Sequence, residues 1–342
     1  MKHIFLVGAC YVDTILSVPY FPEEDSKLRA QSLAVRRGGN CPNSLEVLHQ
    51  LLLHSSLKNG AALSDVRTHL VSCLPDISST ATARIKASFR TRGTPQGKEE
   101  KEAEGYEELV EGCFLTCIYR DGVEEPASSF IVRSLATGSR TIVNYNGLEE
   151  MTLEEFRGVV AEFEGAESSW WHFEGRIPET TLQCIQHLRS VLPNAKISVE
   201  VEKPGREGLT SLAEAADVIF YSRSWAEARG HGNAAACLEN ETPRTASLAL
   251  CTWGSQGATA FTPSDGLLAE CPVGTPADGS HIEVVDTVGA GDTFIAGFLY
   301  GLTCHSTDWD TEAKLKFAVE LATLKVQREG FGGLGRDARG CL

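Results

Sequence analysis

The residues best equipped for chemistry lie late in the chain, in Val284-Val285-Asp286-Thr287-Val288-Gly289-Ala290-Gly291-Asp292-Thr293-Phe294. A short strand-like piece runs into a Gly-Ala-Gly turn, and an apolar helix follows through Ile295, Ala296, Phe298 and Leu299. Glycines let backbone N–H groups approach a ligand closely, and with the dipole of the following helix they make an anion site. A carboxylate on the first helical turn, Asp292, would stand beside that anion. In phosphoryl transfer a base is wanted there, next to the attacking hydroxyl. The stretch is not a dinucleotide fingerprint, because Phe294 takes the place of the third glycine, nor a P-loop, because no Gly-Lys-Ser/Thr follows. Asp292 could also be a helix cap, and local chemistry leaves both readings open.

A second glycine-rich turn, Arg36-Arg37-Gly38-Gly39-Asn40, precedes a helical pattern with Leu45, Leu48, Leu51 and Leu52 at three- and four-residue spacing. Asn40 and Asn43 offer amide groups that could bind hydroxyls or cap that helix. Asp13 is placed at the end of the opening strand and could present a carboxylate to a ligand or form a turn. Glu200 and Glu202 alternate with Val199 and Val201, so they share one strand face, near a ligand or paired with Lys203 or Arg206.

The elements that must position these groups are legible in outline. From Leu153 onward, helices such as Leu182–Val191 alternate with strand-like runs at Trp170–Phe173, Lys196–Val201, Val218–Tyr221, Leu248–Thr252 and Ala258–Phe261. Alternation of this kind predicts a mostly parallel sheet flanked by helices, with ligands at the carboxyl ends of the strands. His69–Cys73 reads as a strand and Thr80–Arg90 as a helix. The pieces Cys113–Tyr119, Ser129–Val132 and Thr141–Asn144, separated by turns at Asp121-Gly122 and Thr137-Gly138-Ser139, do not fit the alternation. They are assigned to a small β lid formed by about 13–36 and 110–145, within one domain spanning 1–342. The charge run Lys98–Glu108 makes 93–110 a flexible surface insertion.

Bulk composition narrows the function. With 342 residues, 42% hydrophobic and 23% charged, the chain can bury a sizeable core. A net charge of −15 argues against nucleic-acid and membrane partners. Eleven cysteines without paired spacing read as reduced core residues. The N-terminal apolar run is too short for a signal peptide, and no stretch approaches the ~20 apolar residues of a membrane span, so a cytoplasmic setting is expected.

D-T-V-G-A-G-D-T-F resembles the C-terminal signature of the PfkB, or ribokinase-like, carbohydrate kinases, and Arg37-Gly38-Gly39-Asn40 with Asn43 is similar to their N-terminal signature. The resemblance implies an α/β, Rossmann-like three-layer ribokinase fold with a mostly parallel central sheet and a small β-sheet lid. It also implies Mg²⁺ with ATP as phosphoryl donor, K⁺ as a further cation, Asp292 as catalytic base, and Gly289, Ala290 and Gly291 as the anion hole. Asp13, Gly39, Asn40 and Asn43 would bind the sugar. Arg140 and the turn Gly254-Ser255-Gln256-Gly257 would serve ATP, and Glu200 and Glu202 would hold Mg²⁺ through water. Phe21–Ser26, Ser139–Val143, Trp171–Arg176 and Val199–Pro204 are closest to the ketohexokinase branch, which implies fructose as acceptor and a homodimer formed through the lids. Another acceptor (ribose, a nucleoside or a sugar acid) and a non-catalytic sensor are the alternatives. The Asn-x-x-Glu motif of many relatives is absent, its place reading Ser222-Arg223-Ser224-Trp225.

Overall fold

The structure, a computed structural model, describes residues 1–59, 66–93, 100–166, 168–274 and 281–338. In chain order the strands are β1 (Lys2–Val7), β2 (Tyr11–Val18), β3 (Ser32–Gly38), β4 (Val66–Val71), β5 (Cys73–Leu74), β6 (Ile118–Tyr119) and β7 (Ser128–Ser134). They continue as β8 (Arg140–Tyr145), β9 (Ser168–Phe173), β10 (Lys196–Val201), β11 (Val218–Tyr221), β12 (Leu248–Thr252), β13 (Ala258–Thr262) and β14 (Leu267–Cys271). Eight of them form one sheet in the order β14-β13-β12-β11-β10-β9-β1-β4. It is parallel from β4 to β12 and turns antiparallel only at the β13–β14 edge.

Period-two alternation explains why the central strands are apolar throughout. Ile4 and Leu6 of β1 join a core with the helices Asn40–Asn59, Ala290–Cys304 and Thr311–Val326. Phe5 and Val7 point the other way, into a second core with Leu153–Ala161, Pro178–Val191 and Leu209–Ala215. Helices thus cover both faces, giving three layers. Strand β10 departs from the pattern: Ile197, Val199 and Val201 enter the second core, while Ser198 and Glu200 are buried polar residues on the opposite face. That face carries the site.

A separate four-stranded sheet, β3-β2-β7-β8, forms the lid. Register divides its faces. Asp13, Arg36, Ser129 and Asn144 lie across from one another on one face, and Leu16, Leu33, Phe130 and Val143 on the other.

Several sequence-based expectations need correction. Asp13 lies within β2 of the lid, not at the end of β1. The segment Cys113–Tyr119 is not a lid strand; it contributes only β6, paired with β5 beside the main sheet. Part of the expected flexible insertion, 93–110, is ordered structure: Glu100–Cys113 is a helix that buries Tyr106, Leu109, Val110 and Cys113. The charge run hid that apolar face, which surfaces only at the helix's C-terminal end. Residues 94–99 of the insertion lie outside the described residues. No helix among the described residues is long and apolar enough to cross a membrane.

Candidate active site

Asp292 stands on the first turn of the helix Ala290–Cys304, whose N-cap is Gly289 with φ +81°. It does not cap the helix. Its carboxylate Oδ2 accepts from Asn43 Nδ2 at 2.7 Å, and its carbonyl accepts from Ser44 Oγ at 2.9 Å. Asn43 in turn accepts at Oδ1 from Arg37 Nη1 at 2.9 Å. Arginine can only donate, so this contact fixes which way the Asn43 amide faces. Arg37 is 4% exposed, pairs with Glu46 through Nη2, and lies 4.3 Å over the Phe89 ring. A buried guanidinium therefore aims an amide at the carboxylate, and sequence reasoning missed Arg37. Its one signal was an arginine between a strand and a pair of glycines.

Asn40 does not cap its helix either. Its Nδ2 donates to Glu200 Oε2 at 2.7 Å and to Glu202 Oε2 at 3.0 Å. Glu200 is engaged by Asn40 and by His172, whose Nε2 lies 3.1 Å from Glu200 Oε1. Arg206 bonds instead to the Gly175 carbonyl. The chain passes from Gly38 into this helix through Gly39, whose φ is +102°. A Cβ there would lie 2.1 Å from the Ala9 carbonyl oxygen. Gly39→Ala is expected to cost about 1–3 kcal/mol of stability through backbone strain and to displace Asn40 and Asn43. Thermal melting and turnover of the variant check both.

These side chains meet in one cavity of about 360 Å³, lined among others by Asp13, Gly39, Asn40, Asn43, Arg140, Glu200, Glu202, Gly289, Gly291 and Asp292. A second cavity of about 640 Å³ is lined by Gly254, Ser255, Gly257, Ala290, Gly291 and, on its apolar side, Val319, Ala322 and Val326. Both reach Thr252, Thr287, Gly291 and Phe294, so they meet at the glycine turn. Two expected roles fit the geometry less well. Gln256 lines neither cavity; it faces a separate surface hollow with Trp253, Thr259 and Glu270, because its short 3₁₀ turn rotates it away from Gly254 and Gly257. The N–H of Ala290 already donates to the Thr287 carbonyl at 3.2 Å. Gly289 and Gly291 N–H have no backbone acceptor among the described residues and remain for a ligand.

Other residues brace the turn. Lys325, fully buried, donates to the Asp286 carboxylate at 2.9 Å and to its carbonyl at 2.8 Å. Arg36 reaches the same carboxylate from the lid at 3.3 Å. Asp286 Oδ1 accepts from Val288 N–H at 2.9 Å.

Electrostatically the first cavity is crowded with negative charge. Burial, then the neighbouring carboxylates, hold Asp292 well above the usual carboxylate range, with Asn43 opposing. Burial and Glu202 push Glu200 up to about 8, and burial and Glu200 push Glu174 up to about 7. Unfolded, such groups titrate near 4.5. Between about 6.5 and 8 these carboxyls bind more protons in the folded chain than in the unfolded chain, and stability falls as pH rises; below 6.5 the buried His49, His69 and His172, lowered to about 3, act in the opposite sense. The expected slope is about 1.4 kcal/mol per pH unit for each retained proton. Melting in EDTA at pH 6.5 and pH 8 checks the sign: the higher midpoint belongs to pH 6.5.

Comparison with known proteins agrees with this geometry. The model of the pfkB family carbohydrate kinases matches residues 101–335. Ketohexokinase of Mus musculus is 30% identical, over 97% of this chain and 99% of the mouse protein, which includes the N-terminal turn that precedes the family match. Among solved structures, ribokinase from Giardia lamblia superposes with a TM-score of 0.72 at 16% identity, covering 99% of this chain and 98% of that one. Arabidopsis thaliana ribokinase, complexed with ribose and ATP, gives 0.69 at 16% identity, covering 99% and 97%. At such identities these two structures speak for the ribokinase fold alone. The family match and the mouse relative show that the chain belongs to the pfkB family of carbohydrate kinases and is a phosphotransferase acting on an alcohol group of a sugar.

Proposed function

We propose that the chain transfers the γ-phosphoryl group of ATP to the primary hydroxyl of D-fructose, giving fructose 1-phosphate. The observation that carries the reading is the place of Asp292, at the junction of a polar cavity and a larger apolar-walled one, beside two N–H groups without backbone acceptors among the described residues. The sugar occupies the polar cavity, where Asp13, Asn40 and Asn43 offer hydroxyl partners. The nucleotide occupies the other, its base against Val319, Ala322 and Val326 and its phosphates toward Gly291. Asp292 takes the hydroxyl proton as the oxygen attacks phosphorus. Its raised proton affinity suits that task. Gly289 and Gly291 N–H receive the transferring phosphoryl oxygens, and Arg140, at the start of β8, closes on them from the lid. Fructose is favoured by the near full-length similarity to the mouse ketohexokinase.

The donor set fits a hard divalent cation. Glu200 and Glu202 bring carboxylate oxygens to the cavity wall, and the upward shifts of Glu174, Glu200 and Asp292, caused first by burial, also reflect clustered negative charge that such an ion would offset. Glu200 and Glu202 would hold Mg²⁺ through water, and the ion would supply charge neutralisation at the phosphates. A potassium ion is not supported at the turn, where the Asp286 carboxylate and carbonyl already take hydrogens from Lys325.

The lid supports a homodimer. On its outer face Leu16, Leu33, Val35, Phe130, Val143 and Tyr145 are all exposed, a patch that pairs well with a second copy. The ten cysteines among the described residues are free thiols, which suits a reducing, cytoplasmic setting.

Initial rates of ADP release from Mg·ATP with D-fructose, other ketoses, D-ribose and adenosine test the reading. Fructose is expected to give the highest kcat/KM, with a 1-phosphate product. Turnover with ribose or adenosine alone would overturn the acceptor, and no turnover with any would overturn the kinase mechanism.

A further inference from the structure

Beneath the polar cavity a line of side chains crosses the sheet from β9 to β10. Trp170 Nε1 donates to Ser198 Oγ at 2.9 Å. Ser198 Oγ lies 2.9 Å from His172 Nδ1, and His172 Nε2 lies 3.1 Å from Glu200 Oε1. Glu200 Oε2 accepts from Asn40. Ser198 and His172 are 0% exposed and Glu200 is 3% exposed. The indole can only donate, so the serine oxygen accepts from it, and the hydroxyl hydrogen has no acceptor among the described residues other than His172 Nδ1. The imidazole then carries its hydrogen on Nε2 and gives it to Glu200.

In that order, an ionised Glu200 receives a donor at each oxygen, His172 on one side and Asn40 on the other. With Glu202 also accepting, both Nδ2 hydrogens of Asn40 are spent on carboxylates. Its Oδ1 has no donor among the described residues, and Asn40 lines the cavity.

We propose that His172, held by Ser198 and Trp170, is a positioning residue that fixes Glu200 and through it the Asn40 amide, so that Asn40 offers a carbonyl oxygen to an acceptor hydroxyl. This rests on the sugar-kinase reading above and adds a specificity rule: at this position the substrate must donate a hydrogen.

The test compares wild type, His172→Phe, His172→Gln and Ser198→Ala with D-fructose and Mg·ATP. His172→Phe is expected to raise the KM for fructose at least tenfold while the KM for ATP stays within twofold. The glutamine variant, which can still donate to Glu200, recovers most of the loss, and Ser198→Ala gives an intermediate rise. An unchanged fructose KM, or equal losses for both substrates, would overturn the proposal. A second readout needs no turnover: ¹⁵N NMR of histidine-labelled protein at pH 9, with His172→Phe assigning the signal. Hydrogen on Nε2 is expected; hydrogen on Nδ1 would overturn the relay whichever acceptor the enzyme uses. Failure of fructose in wild type, with the expected tautomer present, would count against fructose and not against the relay.

Discussion

Asp292→Asn is expected to lower kcat by about 10²–10⁴-fold, the usual contribution of a positioned base, which is about 3–5 kcal/mol of transition-state stabilisation. The KM values should move little. Asparagine keeps an oxygen that accepts from Asn43 Nδ2, so the local hydrogen bonding survives while the proton acceptor is lost. Stability should move the other way. Asp292 sits among Glu174, Glu200 and Glu202, which together with burial raise its proton affinity. Removing one of these charges is expected to raise the melting temperature at pH 8, with a smaller gain at pH 5, where the folded chain already holds the proton. A variant that melts higher and turns over hardly at all would separate a chemical role from a structural one. Initial rates and calorimetry on the same preparation check both halves.

The largest expected loss of stability belongs to Arg37→Met. Arg37 and Glu46 are paired at 2% and 0% side-chain exposure. Removing one partner of a buried ion pair typically costs about 3–5 kcal/mol. Here the change also removes the donor that orients Asn43, so Asn43 is free to rotate away from Asp292. Activity should therefore fall beyond what partial unfolding explains. The double variant Arg37→Met, Glu46→Leu discriminates the two effects. Replacing both charges with apolar side chains should recover most of the stability, because no charge is left buried without its partner. It should not recover turnover, because Asn43 still lacks its donor. Denaturant melts and kcat for the two variants and for wild type give the answer. Full recovery of kcat would mean that Arg37 acts only on the fold.

How far the sequence carried depended on what each signal encodes. Lys196–Val201 was legible to the residue because its apolar run is short and bounded, and period two put Glu200 and Glu202 on one face. The Gly-Ala-Gly turn located Asp292, since few local structures other than an anion site need that spacing ahead of a helix. The partners of these residues were not legible. Asn43 meets Asp292 across 249 positions and Asn40 meets Glu200 across 160. Nothing local records such meetings, so helix capping stayed an open alternative for both asparagines until the coordinates placed them. Buried charge was the other blind spot. Arg37, Lys325 and His172 look like surface or incidental residues in a one-dimensional reading, yet each is buried and hydrogen-bonded. The helix Glu100–Cys113 failed for a related reason: its charged first half dominates the composition, while Tyr106, Val110 and Cys113 pack inward.

The most direct measurement is a crystal structure of the enzyme with D-fructose and a non-hydrolysable ATP analogue. The account predicts a primary hydroxyl within about 2.6–3.2 Å of the Asp292 carboxylate, with the terminal phosphate of the analogue on the N–H groups of Gly289 and Gly291. An acceptor oxygen bound away from Asp292, or a phosphate that bypasses the glycine turn, would contradict it.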